Sequence, residues 1–122
     1  MKKITIVDYG VGNILSLSRA IREIGYETLL SKEKKTILSS DILILPGVGA
    51  FQNAMKLLRE NHLEETLDEY VKIKNKPLIG ICLGMQMLLS KSNEMGEYNG
   101  LNYIPGEVVE LKKLSKKNTF PH

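Results

Sequence analysis

One cysteine stands among the 122 residues, at position 82, so no disulfide can close within the chain, a usage that suits a reducing compartment. No apolar run approaches the roughly 20 residues of a membrane-spanning helix. The basic start Met1-Lys2-Lys3 leads into Ile4-Thr5-Ile6-Val7, an apolar stretch too short for a secretory signal and interrupted by Asp8. These absences predict a soluble, cytoplasmic chain. No charge of one sign dominates either: 17 Lys and Arg stand against 14 Asp and Glu, a formal charge of +3. The lysines gather at Lys32, Lys34, Lys35 and at Lys112, Lys113, Lys116, Lys117, without interleaved aromatics or a nucleic-acid module signature, and read as solvated faces. There is no internal repeat or low-complexity tract. What remains is an ordinary balance, 43% hydrophobic and 25% charged, expected to form one domain over residues 1–122 that buries roughly two thirds of its unfolded surface.

The most informative stretch runs Lys76-Pro77-Leu78-Ile79-Gly80-Ile81-Cys82-Leu83-Gly84-Met85-Gln86-Met87-Leu88-Leu89. An apolar run after a proline breaks at Gly-Ile-Cys-Leu-Gly and resumes at helical spacing, which predicts a buried central strand, a sharp turn and a helix. With cysteine at its apex, that arrangement is a nucleophile elbow. Neighbours two positions from such an apex must be small because strand and helix backbones approach closely there, and Gly80 and Gly84 meet that need. A lone cysteine in an apolar run is usually a small core residue; the paired glycines argue for the nucleophile instead. A helix N-terminus favours an anion, so a thiolate at position 82 gains from its place.

Strands and helices alternate along the rest of the chain. Ile4 to Val7 predicts a strand, and the loop Asp8-Tyr9-Gly10-Val11-Gly12-Asn13 leads to a helix capped by Asn13, with Ile14, Leu17, Ile21 and Ile24 on its apolar side, ended by Gly25. A second strand is expected over Glu27 to Leu30, a short helix near Lys35 to Ser39, and a third strand, buried on both faces, over Asp41 to Leu45. Pro46-Gly47-Val48-Gly49 then opens into a helix with Phe51, Ala54, Met55 and Leu58 on one side. Asn61 and Glu64 are spaced as a capping box for a further helix that turns Leu63, Leu67, Tyr70 and Val71 inward. Ser90 to Gly106 reads as a long loop, with one more strand around Val108, Val109 and Leu111.

The βαβα order predicts an α/β fold, a three-layer and mostly parallel sheet of flavodoxin-like type, whose ligand crevice lies beyond the carboxyl ends of the strands. Three glycine loops follow three strands and should converge there. Gly10-Val11-Gly12 is no dinucleotide fingerprint, because Leu15 stands where the third glycine belongs. Two glycines around Val48 allow backbone N–H groups to turn toward the cysteine and stabilise an oxyanion; a plain strand-to-helix turn is the other reading.

Together, Asp8-Tyr9-Gly10-Val11-Gly12-Asn13, Leu45-Pro46-Gly47-Val48-Gly49-Ala50-Phe51 and Gly80-Ile81-Cys82-Leu83-Gly84-Met85-Gln86 closely resemble class I (triad) glutamine amidotransferases. Among these the chain is most similar to the glutaminase subunits of imidazole glycerol phosphate synthases, and the likeness runs to the closing Phe120-Pro121-His122. The resemblance implies that Cys82 attacks the carboxamide of glutamine to form a γ-glutamyl thioester and release ammonia. It implies an oxyanion hole from the N–H groups of Val48 and Leu83, glutamine held by Gly47 and Gln86, and Tyr9, Gly12 and Asn13 at the interface with a (β/α)8-barrel cyclase. That partner would use the ammonia to make imidazole glycerol phosphate and AICAR in histidine biosynthesis. Neither metal nor organic cofactor is implied, nor any nucleic-acid or membrane partner.

One departure bears on activity. The family's catalytic His and Glu lie well downstream of the nucleophile, and neither His62, in a predicted helix start, nor His122, in a Pro-His element distinct from the family's base, matches them. The chain is therefore expected to be the N-terminal portion of such a domain. Three readings stand: a glutaminase subunit complete in its biological form, the same chemistry feeding another synthase such as those amidating surface-sugar precursors, or a non-catalytic relic acting as a binding protein.

Overall fold

The computed structural model describes residues 2–12, 14–92 and 98–108. Asn13, Val109, Leu111 and His122 lie outside these, and with them the expected helix cap and half of the last strand. The elements run Ile4–Val7 (β1), Ile14–Glu23 (α1), Thr28–Ser31 (β2), Lys34–Leu38 (α2), Ile42–Gly47 (β3), Phe51–Glu60 (α3) and Leu63–Asp68 (α4), which continues as a π-helical turn over Glu69–Ile73. Leu78–Cys82 (β4) and Leu83–Met87 (α5) form the elbow; Leu89–Ser92 (β5), Tyr98–Asn99 (β6) and Ile104–Val108 (β7) follow.

The main sheet is parallel throughout, in the order β2-β1-β3-β4. Parallel pairing requires crossover helices, and the strand period of two divides the apolar residues between the faces. Ile4, Ile6 and Ile44 pack with Ile14, Leu17 and Ile21 of α1 on one face. On the other, Val7, Leu43 and Leu45 meet Ile37 of α2, Phe51, Met55 and Leu58 of α3, Leu63 and Leu67 of α4, and Met87 of α5. The three layers are thus one helix, the sheet, and four helices. Buried hydroxyls are paired rather than left bare: Thr5 with Ser40, and Ser18 with Thr28 at 2.7 Å. The Lys76 ammonium donates to the carbonyls of Leu38 (2.9 Å) and Ser40 (3.1 Å), tying the entry of β4 to the end of α2.

The structure corrects four expectations. β4 was expected as a buried central strand, yet among the described residues it is the outer strand, with Ile79 47% exposed. Among the described residues α1 is the helix that packs on the opposite face from α2–α5, and Ile79 is not part of its cluster. Asn61 and Glu64 form no capping box: His62 takes the N-cap position in left-handed backbone (φ 57°), without a side-chain cap bond. Asn61 instead ends α3 and sends its amide to the carbonyls of Leu57 (2.7 Å) and Tyr9 (3.2 Å), while Glu64 pairs with Arg59 at 2.6 Å. The Ser90 to Gly106 loop instead contributes to a small sheet in the order β6-β5-β7. Finally, α1 ends at Glu23, leaving Ile24 exposed beyond it.

The layering sets the scale for core mutations. Leu43→Ala removes a fully buried side chain (0% exposed) and is expected to cost about 2–5 kcal/mol, whereas Leu29→Ala on the outer strand β2 (47% exposed) should stay within about 0.5 kcal/mol. Urea unfolding of both variants checks the difference; equal losses would mean that the faces are assigned wrongly.

Candidate active site

At the elbow, β3 and the start of α5 approach until only backbone fits between them. A Cβ on Gly47 would lie 2.6 Å from the Gly84 nitrogen, and one on Gly80 would lie 2.7 Å from the Gly84 oxygen. A Cβ on Gly84 would collide with the Leu45 carbonyl. This close approach forces the chain to turn in one residue, and Cys82 adopts φ 55°, ψ −126°, a region that non-glycine residues rarely occupy. The strained turn stands Cys82 at the surface as the residue before α5.

Cys82 opens onto a cleft of about 600 Å³ whose walls are the Gly47-Val48-Gly49 turn, Phe51 and Gln52 at the start of α3, and Leu83 and Gln86 of the elbow helix. Gly49 has φ 82°, and Val48 is exposed. Neither Val48 nor Gly49 finds a backbone hydrogen-bond partner for its N–H among the described residues. A smaller apolar cavity of about 160 Å³ adjoins on the other side of Val48, reaching Gly12, Leu17 and Ile81. Thus all three glycine loops meet at the carboxyl end of the sheet. The Gln86 side-chain oxygen is buried with no partner among the described residues, and Gln86 is one of the residues that line the cleft.

The geometry places an exposed thiol in one cleft with backbone N–H groups that have no partner among the described residues. The family model for class-I glutamine amidotransferases matches residues 5–121. The chain belongs to the class-I glutamine amidotransferases. Relatives named imidazole glycerol phosphate synthase subunit HisH include those of Bacillus cereus, 50% identical over 119 residues, and Carboxydothermus hydrogenoformans, 46% identical over 117. These matches cover 98% and 96% of this chain but 55% and 57% of the relatives, so the chain spans about half their length. A solved structure described as a glutamine amidotransferase shares the fold, with a TM-score of 0.72 and 24% identity over 86% of this chain and 55% of that one.

In this class-I amidotransferase chain, Cys82, Val48, Leu83, Gly47 and Gln86 line one cleft, and Gly12 borders the cavity beside it. Asn13 lies outside the described residues. Tyr9, expected at a partner interface, is 1% exposed in the chain by itself. Its ring is large and apolar and fills the space under β3, and its hydroxyl donates to the Pro46 carbonyl. Burial pushes the phenol above its usual pKa of about 10, keeping it a neutral donor across the biological range. Gln52 and Phe51 also shape the cleft; their place in the first turn after the glycine loop was the available signal for them. No histidine or carboxylate lines the cleft among the described residues, and His62 faces a separate hollow with Arg59, Glu64, Glu65 and Asp68.

The glycines should separate by cause. Gly84→Ala drives a methyl group into the Leu45 carbonyl and is expected to cost at least about 1–3 kcal/mol, as overpacking does. Gly49→Ala has open space and bears only the left-handed backbone penalty, about 1–2 kcal/mol at most. Urea midpoints should rank Gly84→Ala below Gly49→Ala; the reverse order would contradict the close approach.

Proposed function

We propose that this chain is the nucleophile-bearing part of a glutaminase that hydrolyses glutamine to glutamate and ammonia. The single observation that carries the reading is Cys82 held at positive φ on the lip of the Gly47–Gly49 cleft, in a chain of this family. In the proposed reaction the Cys82 thiolate attacks the carboxamide carbon, and the N–H groups of Leu83 and Val48 bind the oxyanion that forms. Collapse expels ammonia, which needs a proton to leave, and yields a γ-glutamyl thioester; water then releases glutamate and the thiol. Val48 and Leu83 border the thiol, which supports their role as donors. Gly47 and Gln86, which line the cleft, would hold the substrate.

The names of the relatives support the destination of the ammonia. We infer a heterodimer with a (β/α)8-barrel cyclase that makes imidazole glycerol phosphate and AICAR, the lyase half of the reaction in histidine biosynthesis. Tyr9, Gly12 and Asn13 belong to the loop proposed to face the partner, and a cytoplasmic site of action goes with this pathway. No described helix is long and apolar enough to cross a membrane. The reading calls for neither metal nor organic cofactor.

Cys82→Ala in the complete subunit should abolish glutamate formation while sparing synthesis from added ammonium salts, since the thiol serves only to form the thioester. Loss of the ammonia-dependent reaction as well would trace the defect to the fold or the complex. Residues 1–122 assayed alone, with or without the cyclase, should show no measurable glutaminase turnover. A positioned base typically contributes about a hundred- to ten-thousand-fold, and none lines the cleft among the described residues. Turnover equal to that of a longer natural subunit would place the base within residues 1–122.

A further inference from the structure

We propose that Tyr9 is a positioning residue for the Gly47–Gly49 loop: its hydroxyl fixes the peptide that enters the loop, confining the loop's rotation to the residues after Pro46. The inference rests on the glutaminase reading, in which the Val48 N–H is an oxyanion donor. The phenol is buried and donates to the Pro46 carbonyl, with the Met87 sulfur of the elbow helix 3.3 Å from the same hydroxyl. One side chain from the β1 loop therefore touches the entry to the loop after β3 and the helix after β4.

Three details make this more than packing. Proline has no N–H, so residue 46 offers only its carbonyl to be held, and the hydroxyl holds it. The peptide unit is planar, so fixing the Pro46 carbonyl also fixes the direction of the Gly47 N–H. The next two N–H groups, of Val48 and Gly49, have no partner among the described residues, and Gly49 already sits at φ 82°. The boundary between held and free backbone thus falls at the residue whose N–H the glutaminase reading assigns to the oxyanion. The tyrosine is itself anchored, since the Asn61 amide donates to its main-chain oxygen at 3.2 Å. A phenylalanine would fill the same space among Val7, Val11 and Phe51, so a hydroxyl in this apolar cluster is accounted for by the bond it makes.

The test uses the complete subunit with its synthase and the variant Tyr9→Phe. Glutamate formation across a range of glutamine concentrations should show kcat lowered about three- to tenfold, the equilibrium worth of one hydrogen bond, with KM within about twofold. Amide exchange followed by mass spectrometry should quicken by a similar factor in the peptide spanning Leu45 to Phe51, but not in β1 or along α3. Asn61→Ala, which frees the main chain of Tyr9 but keeps the phenol, should move loop exchange in the same direction by a smaller factor. Met87→Leu, which keeps the Pro46 bond, should leave the loop at the wild-type rate. Unchanged loop exchange in both Tyr9→Phe and Asn61→Ala overturns the proposal. So does quickening shared equally by β1 and α3, which would reduce Tyr9 to packing, and so does a rise in KM with kcat intact. If the wild-type complex forms no glutamate, the glutaminase reading fails, and loop exchange alone then decides whether Tyr9 holds the loop.

Discussion

Everything at the carboxyl end of the sheet depends on the approach of two backbones, the end of β3 and the start of α5, to a distance that admits no side chain. Gly47 and Gly84 make that approach possible and Gly80 does the same between β4 and α5, each with its missing Cβ directed at neighbouring main chain. The strain that follows is concentrated in one residue, Cys82, whose positive φ is maintained because the packed strand and helix on either side leave it no relaxed alternative. Strain of this kind costs on the order of 1–3 kcal/mol and persists only where surrounding structure overdetermines it. Here the surroundings are Leu43 and Leu45 of β3 and Met87 of α5, all fully buried in one cluster.

That junction also organises the neighbouring loops. The β3 strand ends at Pro46-Gly47, so the sheet stops at the point where the cleft begins. Tyr9 reaches beneath it from the β1 loop, and Asn61 at the end of α3 holds the main chain of Tyr9. A held entry with an untied turn above it suits the proposed role of this turn, offering N–H donors to a charge that appears only during reaction. The outer flank of β4 has the opposite character. Among the described residues it lacks both a neighbouring strand and a covering helix, and Ile79 is left half-exposed.

Much of this was legible along the chain because it is local. β-branched runs, the glycines after each strand, the proline before the elbow and the 3.6-residue spacing of Phe51, Ala54, Met55 and Leu58 each report on a few neighbouring residues. The expectations that failed concern choices between local partners that the wider fold decides. Asn61 has the spacing of a capping residue, but α3 extends through Glu60 and claims its amide, while Glu64 is drawn to Arg59. Tyr9 sits in a polar, glycine-rich loop and reads as a surface residue, yet the space under Pro46 admits a ring. The apolar run of β4 reads as a central strand, since composition reports how apolar a strand is, not how many neighbours it has.

The sequence by itself determined the class of fold and the strand-turn-helix at Cys82, because both follow from residue type and short-range spacing, and it pointed to the family and to most of the cleft residues through the resemblance of three motifs. Only the tertiary structure decided that Tyr9 is buried and bonded to the Pro46 carbonyl, that β4 is an outer strand among the described residues, and that no base stands beside the thiol there. These are relations between segments tens of residues apart, such as Tyr9 with Pro46 or Gly84 with Leu45. They arise when the sheet assembles and excludes water, and no local pattern encodes them.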